Sequence, residues 1–313
     1  MKLVIQIPCL NEEATLGSVL KSIPKKIEGI DDIIVLIIND GSTDKTVEIA
    51  KKHGVKEFVH HAQPMGLAQG FQDGVNRALE LGADIVVNTD GDNQYPQSEI
   101  GRLVAPILEG KADIVIADRQ TSTIQHFSVF KKLLQKAGST VVNWAAGTKL
   151  PDAASGFRAY SRGSLMRINV VTKFSYAMET IIQAGNKKMA IVSIPIVTNP
   201  KTRESRLFNS SWEHVRKSAL AIIRAYIMYK PYVIFVTLGT LFSIAGLVPF
   251  VRYLFYFLQH SHHGHLQSLI LGTVFLTGAF LSFVLLIISD LIRTNHTLQD
   301  QILEHTKALR FKK

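Results

Sequence analysis

The sequence predicts an α/β fold with a largely parallel sheet, followed by a pair of membrane-spanning helices. Three observations point there. Short β-branched runs alternate with segments of helical spacing, the residues directly after those runs are polar and acidic, and two long uncharged stretches lie towards the C-terminal end.

The strand-like runs are Leu3 to Pro8, Ile33 to Asn39, Glu57 to His60, Asp84 to Thr89 and Asp113 to Ala117. Between them, Thr43 to Lys52, Gly66 to Leu81 and Gln97 to Leu108 carry apolar residues at helical spacing. This βαβα order predicts parallel strands with helices on both faces. Ligands of such sheets sit beyond the carboxyl ends of the strands. Those positions hold Asn11, Glu12 and Glu13 after the first run, DGSTD (Asp40 to Asp44) after the second and DGDNQ (Asp90 to Gln94) after the fourth. Gly41 and Gly91 permit tight turns, and Ser42 or Thr43 is suited to cap a helix, so DGSTD alone reads as a capping segment. Three acidic clusters on one sheet edge ask for more, since like charges repel unless a cation or hydrogen-bonding ligand joins them.

The apolar excess is concentrated elsewhere. Of 313 residues, 47% are hydrophobic and 19% charged. Pro231 to Val251 is an uncharged stretch of 21 residues and Leu266 to Ser289 one of 24. As helices, each is long enough for a hydrocarbon core of about 30 Å. The alternative, two buried core helices, leaves too little protein to cover them. No signal peptide is expected, because Met1 to Pro8 leads straight into a strand-like run. Arg216, Lys217, Arg224 and Lys230 stand before the first stretch and Arg293, Lys307, Arg310, Lys312 and Lys313 after the second, whereas Gln259 to His265 has no Lys or Arg. Both ends are therefore expected in the cytosol. The formal net charge of +10 fits attraction to anionic headgroups. It clusters beside the spans, so no nucleic-acid partner is expected. Cys9 is the single cysteine and forms no internal disulfide.

The expected organisation is a cytosolic catalytic domain over 1–210, with amphipathic interface helices near 126–148, and a juxtamembrane helix over 211–230. Spans at 231–258 and 266–292 follow, joined by a loop at 259–265, and a basic cytosolic tail covers 293–313.

Asp90 and Asp92 have the strongest chemical meaning. Two carboxylates placed two apart in a turn approach one hard divalent ion, which also takes diphosphate oxygens and water, and Gln94 offers a further oxygen.

Taken in order, IPCLNEE (Ile7 to Glu13), NDGSTD (Asn39 to Asp44), DGDNQ (Asp90 to Gln94), ADR (Ala117 to Arg119), DAASGFRAY (Asp152 to Tyr160) and RESRL (Arg203 to Leu207) resemble a family 2 glycosyltransferase of the GT-A fold. The similarity is to the polyprenyl-phosphate branch, the dolichol-phosphate mannose or glucose synthase-like proteins with C-terminal transmembrane helices. It implies a metal-dependent inverting enzyme that moves one sugar from a UDP- or GDP-sugar to a polyprenyl or dolichyl phosphate. Pro8, Leu10, Glu12, Ile38 and Asp40 would line the nucleoside pocket, and Asn11 and Gly91 belong to the same donor-binding set. Asp90, Asp92 and Gln94 would hold Mg²⁺ or Mn²⁺, and Arg119 would reach a phosphate. Arg203 and Arg206 lie in the segment that closes over the donor diphosphate in relatives with a GESKL-like sequence; here that segment has no glycine, and either arginine suits a bidentate phosphate contact.

Asp92, Asp152 and Arg158 are the catalytic candidates. Asp152 would orient the acceptor or the sugar and Arg158 would bind the acceptor phosphate, or both belong to structural ion pairing. A phosphate acceptor, with a second pKa near about 6, needs little help from a base.

A lipid acceptor requires a site near the bilayer. Phe127, Phe130, Leu134, Ala137, Val141 and Trp144 form one helical stripe beside Lys131, Lys132 and Lys136. That stripe suits a membrane interface or packing against the sheet. Trp212 to Tyr229 reads as a helix leading into the first span, and Thr198 to Asn209 as a loop that closes over the donor. His260, His262, His263 and His265 have the composition of a metal tract but fall in the loop on the far side of the membrane.

A processive polysaccharide synthase would share pocket and anchor, yet no QxxRW segment is present. A non-catalytic membrane adaptor on a transferase-like domain would not need Asp90, Asp92, Gln94 and Arg119 together. A homo-oligomer is compatible with the sequence, which leaves the oligomeric state open.

Overall fold

The computed structural model describes residues 1–120, 129–171, 176–200, 231–258 and 266–312, with side chains in the helix that begins at Val129 described from Gly138 onward. The chain divides into two units, Met1–Ala225 with Leu303–Lys313, and Tyr226–Ile302.

In the first unit, β1 (Lys2–Cys9), β2 (Asp32–Asn39), β3 (Glu57–His60), β4 (Ile85–Asn88) and β5 (Ile114–Asp118) alternate with α1 (Leu16–Ser22), α2 (Thr46–Lys52), α3 (Leu67–Glu80) and α4 (Ile100–Leu108). α5 (Val129–Ala146), β6 (Arg158–Ser161), α6 (Arg162–Arg167), α7 (Tyr176–Asn186) and β7 (Ile191–Pro195) follow. The seven strands run in the order β3-β2-β1-β4-β6-β5-β7. β6 lies antiparallel to both β4 and β5, and all other pairings are parallel.

The period of two along each strand assigns the faces. Leu3, Ile5 and Ile7 of β1 join Ile85 and Val87 of β4 in a core closed by Leu16 and Val19 of α1 and by Ile100, Leu103 and Val104 of α4. On the other face α3 lies close over β1 and β2. A Cβ on Gly74 would stand 2.6 Å from Gln6 Oε1 and 3.0 Å from Ile38, so only glycine lets the helix settle there.

The second unit contains two helices, Pro231–Leu258 and the first part of Leu266–Arg310, both long and apolar enough to cross a membrane. Leu241, Leu247, Val248, Leu254, Phe280 and Leu281 are exposed, so these are not core helices of a soluble protein. Glycines bring the pair together: a Cβ on either Gly246 or Gly272 would lie 3.1 Å from the other's carbonyl oxygen.

The second apolar helix does not end where its hydropathy does. It continues to Arg310, and Leu303–Lys313 belongs to the first unit. Lys307 is buried there, with Nζ donating to Ile168 O at 2.8 Å, Phe311 is buried, and Arg310 meets Glu80 at 2.8 Å. The tail expected to lie against headgroups thus has two of its cations engaged by protein, Lys307 by the carbonyls that end α6 and Arg310 by the Glu80 carboxylate.

Candidate active site

The carboxyl ends of β1 and β2 are stitched together. Asn11, in the left-handed region at φ 57°, accepts the Thr43 N–H at 2.8 Å and donates its own N–H to Ser42 Oγ at 3.0 Å. Glu12 N donates to Thr46 Oγ1 at 2.8 Å. Asp44 Oδ1 takes the Thr46 N–H at 2.9 Å, so Asp44 rather than Ser42 or Thr43 serves the start of α2.

Asp40 is engaged through both of its carboxylate oxygens. Oδ1 accepts from Met65 N at 2.7 Å and lies 2.7 Å from His61 Nδ1, while Oδ2 accepts from Gly66 N at 2.9 Å. Leu10 is exposed, but Ile38 is buried beneath α3 against Gly70 and Gly74. Expected as a pocket wall, Ile38 belongs to the core, because the even positions of β2 face α3.

The DGDNQ turn follows β4. Asp92 Oδ1 accepts the Gln94 N–H at 3.0 Å, and Asn93 takes a left-handed φ of 61°. Asn199 ties the turn to the segment after β7, donating N to Gln94 O at 3.0 Å and Nδ2 to Asn93 O at 2.9 Å. Gly91 lets the turn lie against β1, where a Cβ would be 3.2 Å from Cys9 Sγ. A Cβ on Gly156 would stand 3.5 Å from Asp90 Oδ2 and 3.2 Å from the Tyr176 hydroxyl. Gly156 therefore lets its backbone lie close to the Asp90 carboxylate and the Tyr176 hydroxyl. Behind it, Asn88 Nδ2 donates to Gly156 O at 3.0 Å and to Tyr176 OH at 2.7 Å, and Tyr95 OH accepts Gly156 N at 3.1 Å.

Burial first, then the charge of Asp90, raises the Tyr176 hydroxyl well above its ordinary pKa, so it remains a proton donor. Burial, then Glu12 and Asp90, does the same to the Cys9 thiol.

Among the described residues no three His, Cys, Asp or Glu side chains gather as a metal cluster. A hard ion that arrives with a diphosphate does not need one: one or two carboxylates, phosphate oxygens and water complete its shell. Asp90 and Asp92, with Gln94 beside them in one turn, supply oxygens of that kind.

Arg119, directly after β5, makes a fork-to-fork pair with Asp152, Nε to Oδ2 at 2.6 Å and Nη2 to Oδ1 at 2.9 Å. The Asp152 side chain is 1% exposed. Burial alone would raise its pKa, but the hydrogen bonds and charge of Arg119 outweigh burial and hold it below the ordinary range. Burial opposes the charge of Arg119, yet Tyr95, Asp152 and Asp90 keep its pKa above normal.

Arg158 departs from expectation. It is fully buried and donates to Ser155 O, Ala177 O, Thr180 Oγ1 and Ala153 O at 2.7 to 3.0 Å. An acceptor phosphate would have to displace those oxygens, so Arg158 braces the loop before β6. Arg203 and Arg206 lie outside the described residues, as do Phe127, Trp212 to Tyr229 and the four histidines from His260 to His265.

Sequence reasoning passed over Asn88, Tyr95, Tyr176, Asn199 and His61. Asn88 carried a signal, an amide closing an otherwise apolar strand, which asks for a buried partner. Asn199, 105 positions after Gln94 in the numbering, carried none.

The description "Glycosyl transferase family 2" matches residues 4–168, more than half of the chain. The UDP-N-acetylglucosamine–dolichyl-phosphate N-acetylglucosaminyltransferase of Methanococcus voltae is 26% identical over 213 residues, covering 61% of this chain and 83% of that protein. The dolichyl-phosphate hexose transferase of Haloferax volcanii is 28% identical over 207 residues, covering 66% and 86%. A crystal structure of glucosyl-3-phosphoglycerate synthase from Mycobacterium tuberculosis with Mn²⁺ and UDP-glucose superposes with a TM-score of 0.54 at 22% identity, covering 72% of this chain and 78% of that one. That likeness carries the GT-A fold.

Proposed function

This chain belongs to glycosyl transferase family 2, and from that premise we propose that it moves one sugar from a UDP- or GDP-sugar to a polyprenyl or dolichyl phosphate, with inversion and with Mg²⁺ or Mn²⁺, at the cytosolic membrane face. The observation that carries the reading is the acidic turn from Asp90 to Gln94 at the carboxyl end of β4, with Asp90 within electrostatic reach of Arg119.

Asp90 and Asp92 would hold the ion, with Gln94 beside them. When bound, it supplies neutralisation of the charge that builds on the departing diphosphate. Arg119 adds a positive charge that Asp152 keeps from swinging away, and Nη1 takes no part in that pair. A fixed cation is worth more to a transition state than a mobile one, because no reorganisation is needed at the moment of reaction. Asp152, expected to orient the acceptor, acts through Arg119, since both its oxygens face the guanidinium. Held below its ordinary pKa, it is a poor base. The acceptor phosphate, already an anion, needs none.

Support for a membrane-side acceptor comes from α5. Val142 and Ala145 turn inward, while Val141 is 38% and Trp144 58% exposed. The stripe is thus outward in its described part, as an interfacial helix requires. Support for the orientation is the basic flanks, against which only Arg252 stands at the far end of the first span.

The test is a panel of UDP- and GDP-sugars with polyprenyl phosphate, with and without Mg²⁺ or Mn²⁺. A metal-dependent monosaccharyl lipid supports the reading. Polymer would make the chain a processive synthase, and no product with any donor would leave the adaptor reading.

A further inference from the structure

His61 stands between two carboxylates. It directly follows β3, where its N–H donates to Asn39 O at 2.9 Å and prolongs the pairing with β2 by one residue. Nδ1 is 2.7 Å from Asp40 Oδ1 and Nε2 is 3.2 Å from Asp73 Oδ2, with the ring 9% exposed. Gln69 Nε2 donates to the same Asp73 oxygen at 2.9 Å. A carboxylate only accepts, so the ring satisfies both neighbours only when each nitrogen carries a proton. A neutral imidazole has one N–H and serves one of them.

The ring thereby joins the turn after β2 to the first half of α3. Asp40 has three anchors, His61 and the N–H groups of Met65 and Gly66, and only His61 brings charge. A carboxylate facing an incoming nucleoside diphosphate would repel it. An imidazolium in contact with that carboxylate offsets the repulsion yet leaves lone pairs on Asp40 to accept from the nucleoside.

We propose that His61 is a positioning residue for the donor: doubly protonated between Asp40 and Asp73, it fixes Asp40 and cancels part of its charge, so that the pocket accepts the nucleoside diphosphate. This rests on the donor-pocket reading of Asp40 given above.

The experiment titrates UDP and GDP, each with Mn²⁺, into the detergent-solubilised full chain by calorimetry. Asp40→Ala, which removes the accepting oxygens, tests the pocket, and a wild-type affinity in that variant would remove the donor-pocket reading itself. His61→Ala tests the proposal. Its nucleotide affinity is expected to fall about ten- to a hundredfold, the range of a charge-assisted hydrogen bond. His61→Asn keeps a donor near the Nδ1 position without the charge and should recover part of the loss. The Asp40→Ala/His61→Ala double variant should bind no worse than Asp40→Ala alone, since His61 acts through Asp40. Wild-type affinity in His61→Ala while Asp40→Ala is impaired overturns the proposal and spares the pocket. Additive losses in the double variant also overturn it. Where His61→Ala lowers the melting temperature, His61→Asn and the ring ¹⁵N signals of wild-type His61 decide: protonated-type signals from both nitrogens support the proposal, and one unprotonated nitrogen overturns it.

Discussion

Arg119 and Asp152 face each other fork to fork, 2.6 and 2.9 Å apart, and so pin the residue that follows β5 to the loop that leads into β6. Removing the charge of Asp152 would leave a largely buried guanidinium without its counter-ion. Asp152→Asn should therefore lower stability by about 3–5 kcal/mol and reduce activity as well. The pH dependence follows from the sign of the shift. The carboxyl is held below its ordinary value of 3.8 in the folded chain, so its contribution is complete above that value and is lost as pH falls through the folded pKa. Denaturant melts of wild type and Asp152→Asn should differ by a constant amount at neutral pH and converge in strong acid. A gap that widens on acidification would contradict the pairing.

Asp92 has two roles that substitution can separate. Its Oδ1 accepts the Gln94 N–H, and an asparagine oxygen can do the same, so Asp92→Asn preserves the turn while removing the charge. In Asp90→Asn/Asp92→Asn, sugar transfer should fall by about three orders of magnitude, in line with several kcal/mol from a Lewis acid. The melting temperature without ligand should barely change. Chelation of the wild type should give the same loss, and Mn²⁺ or Mg²⁺ should restore it. Full transfer by the double variant would remove these carboxylates from the chemistry.

Particular residues explain what was legible in the sequence. β1, β2, β4 and β5 were readable because they are runs of mostly apolar, β-branched residues largely buried on both faces, as parallel strands are, whereas β3, at the sheet edge, is a short and only partly buried run. β6 was not: Arg158, Ala159, Tyr160 and Ser161 look like a loop, and only the insertion between β4 and β5 makes them a strand. The second apolar helix runs on past the span expected at 266–292, since hydropathy marks where lipid contact ends and the helix continues through charged residues with good helix propensity. The acidic turns were legible as a set. The partner of Asp152 was not, because Arg119 and Arg158 are both arginines near strands, and only the packing of Arg158 against four oxygens of its own neighbourhood leaves Arg119 for the carboxylate.

Gly74 offers a test of the close layer over β1. Glycine is poorer than alanine in a helix by about 1 kcal/mol, so Gly74→Ala would stabilise an open helix. Here the new methyl would meet Gln6 Oε1 at 2.6 Å. Gln6 has little freedom to move, because its Nε2 donates to Asn88 Oδ1 at 2.9 Å in the buried chain that supports Gly156. Overpacking should prevail, with a net loss of about 1–2 kcal/mol. A displaced Asn88 should also reduce sugar transfer. An increase in melting temperature would show that α3 tolerates a wider separation from the sheet.

Lys307 separates two uses of the basic C-terminal segment. Cations near an anionic bilayer contribute about 1 kcal/mol each to membrane attachment, and by composition Lys307 belongs with them. Its ammonium group, however, is buried at the end of α6, 2.8 Å from Ile168 O. Lys307→Met keeps most of the buried stem while deleting the donor. The carbonyl left behind should cost about 1–3 kcal/mol, seen as a lower melting temperature of the catalytic unit, with sedimentation on anionic vesicles unchanged. Lys312→Ala should show the opposite pattern, because Lys312 is exposed. If Lys307→Met instead weakened vesicle binding at constant melting temperature, its contact with α6 would have no weight, and the segment would be a headgroup-binding tail.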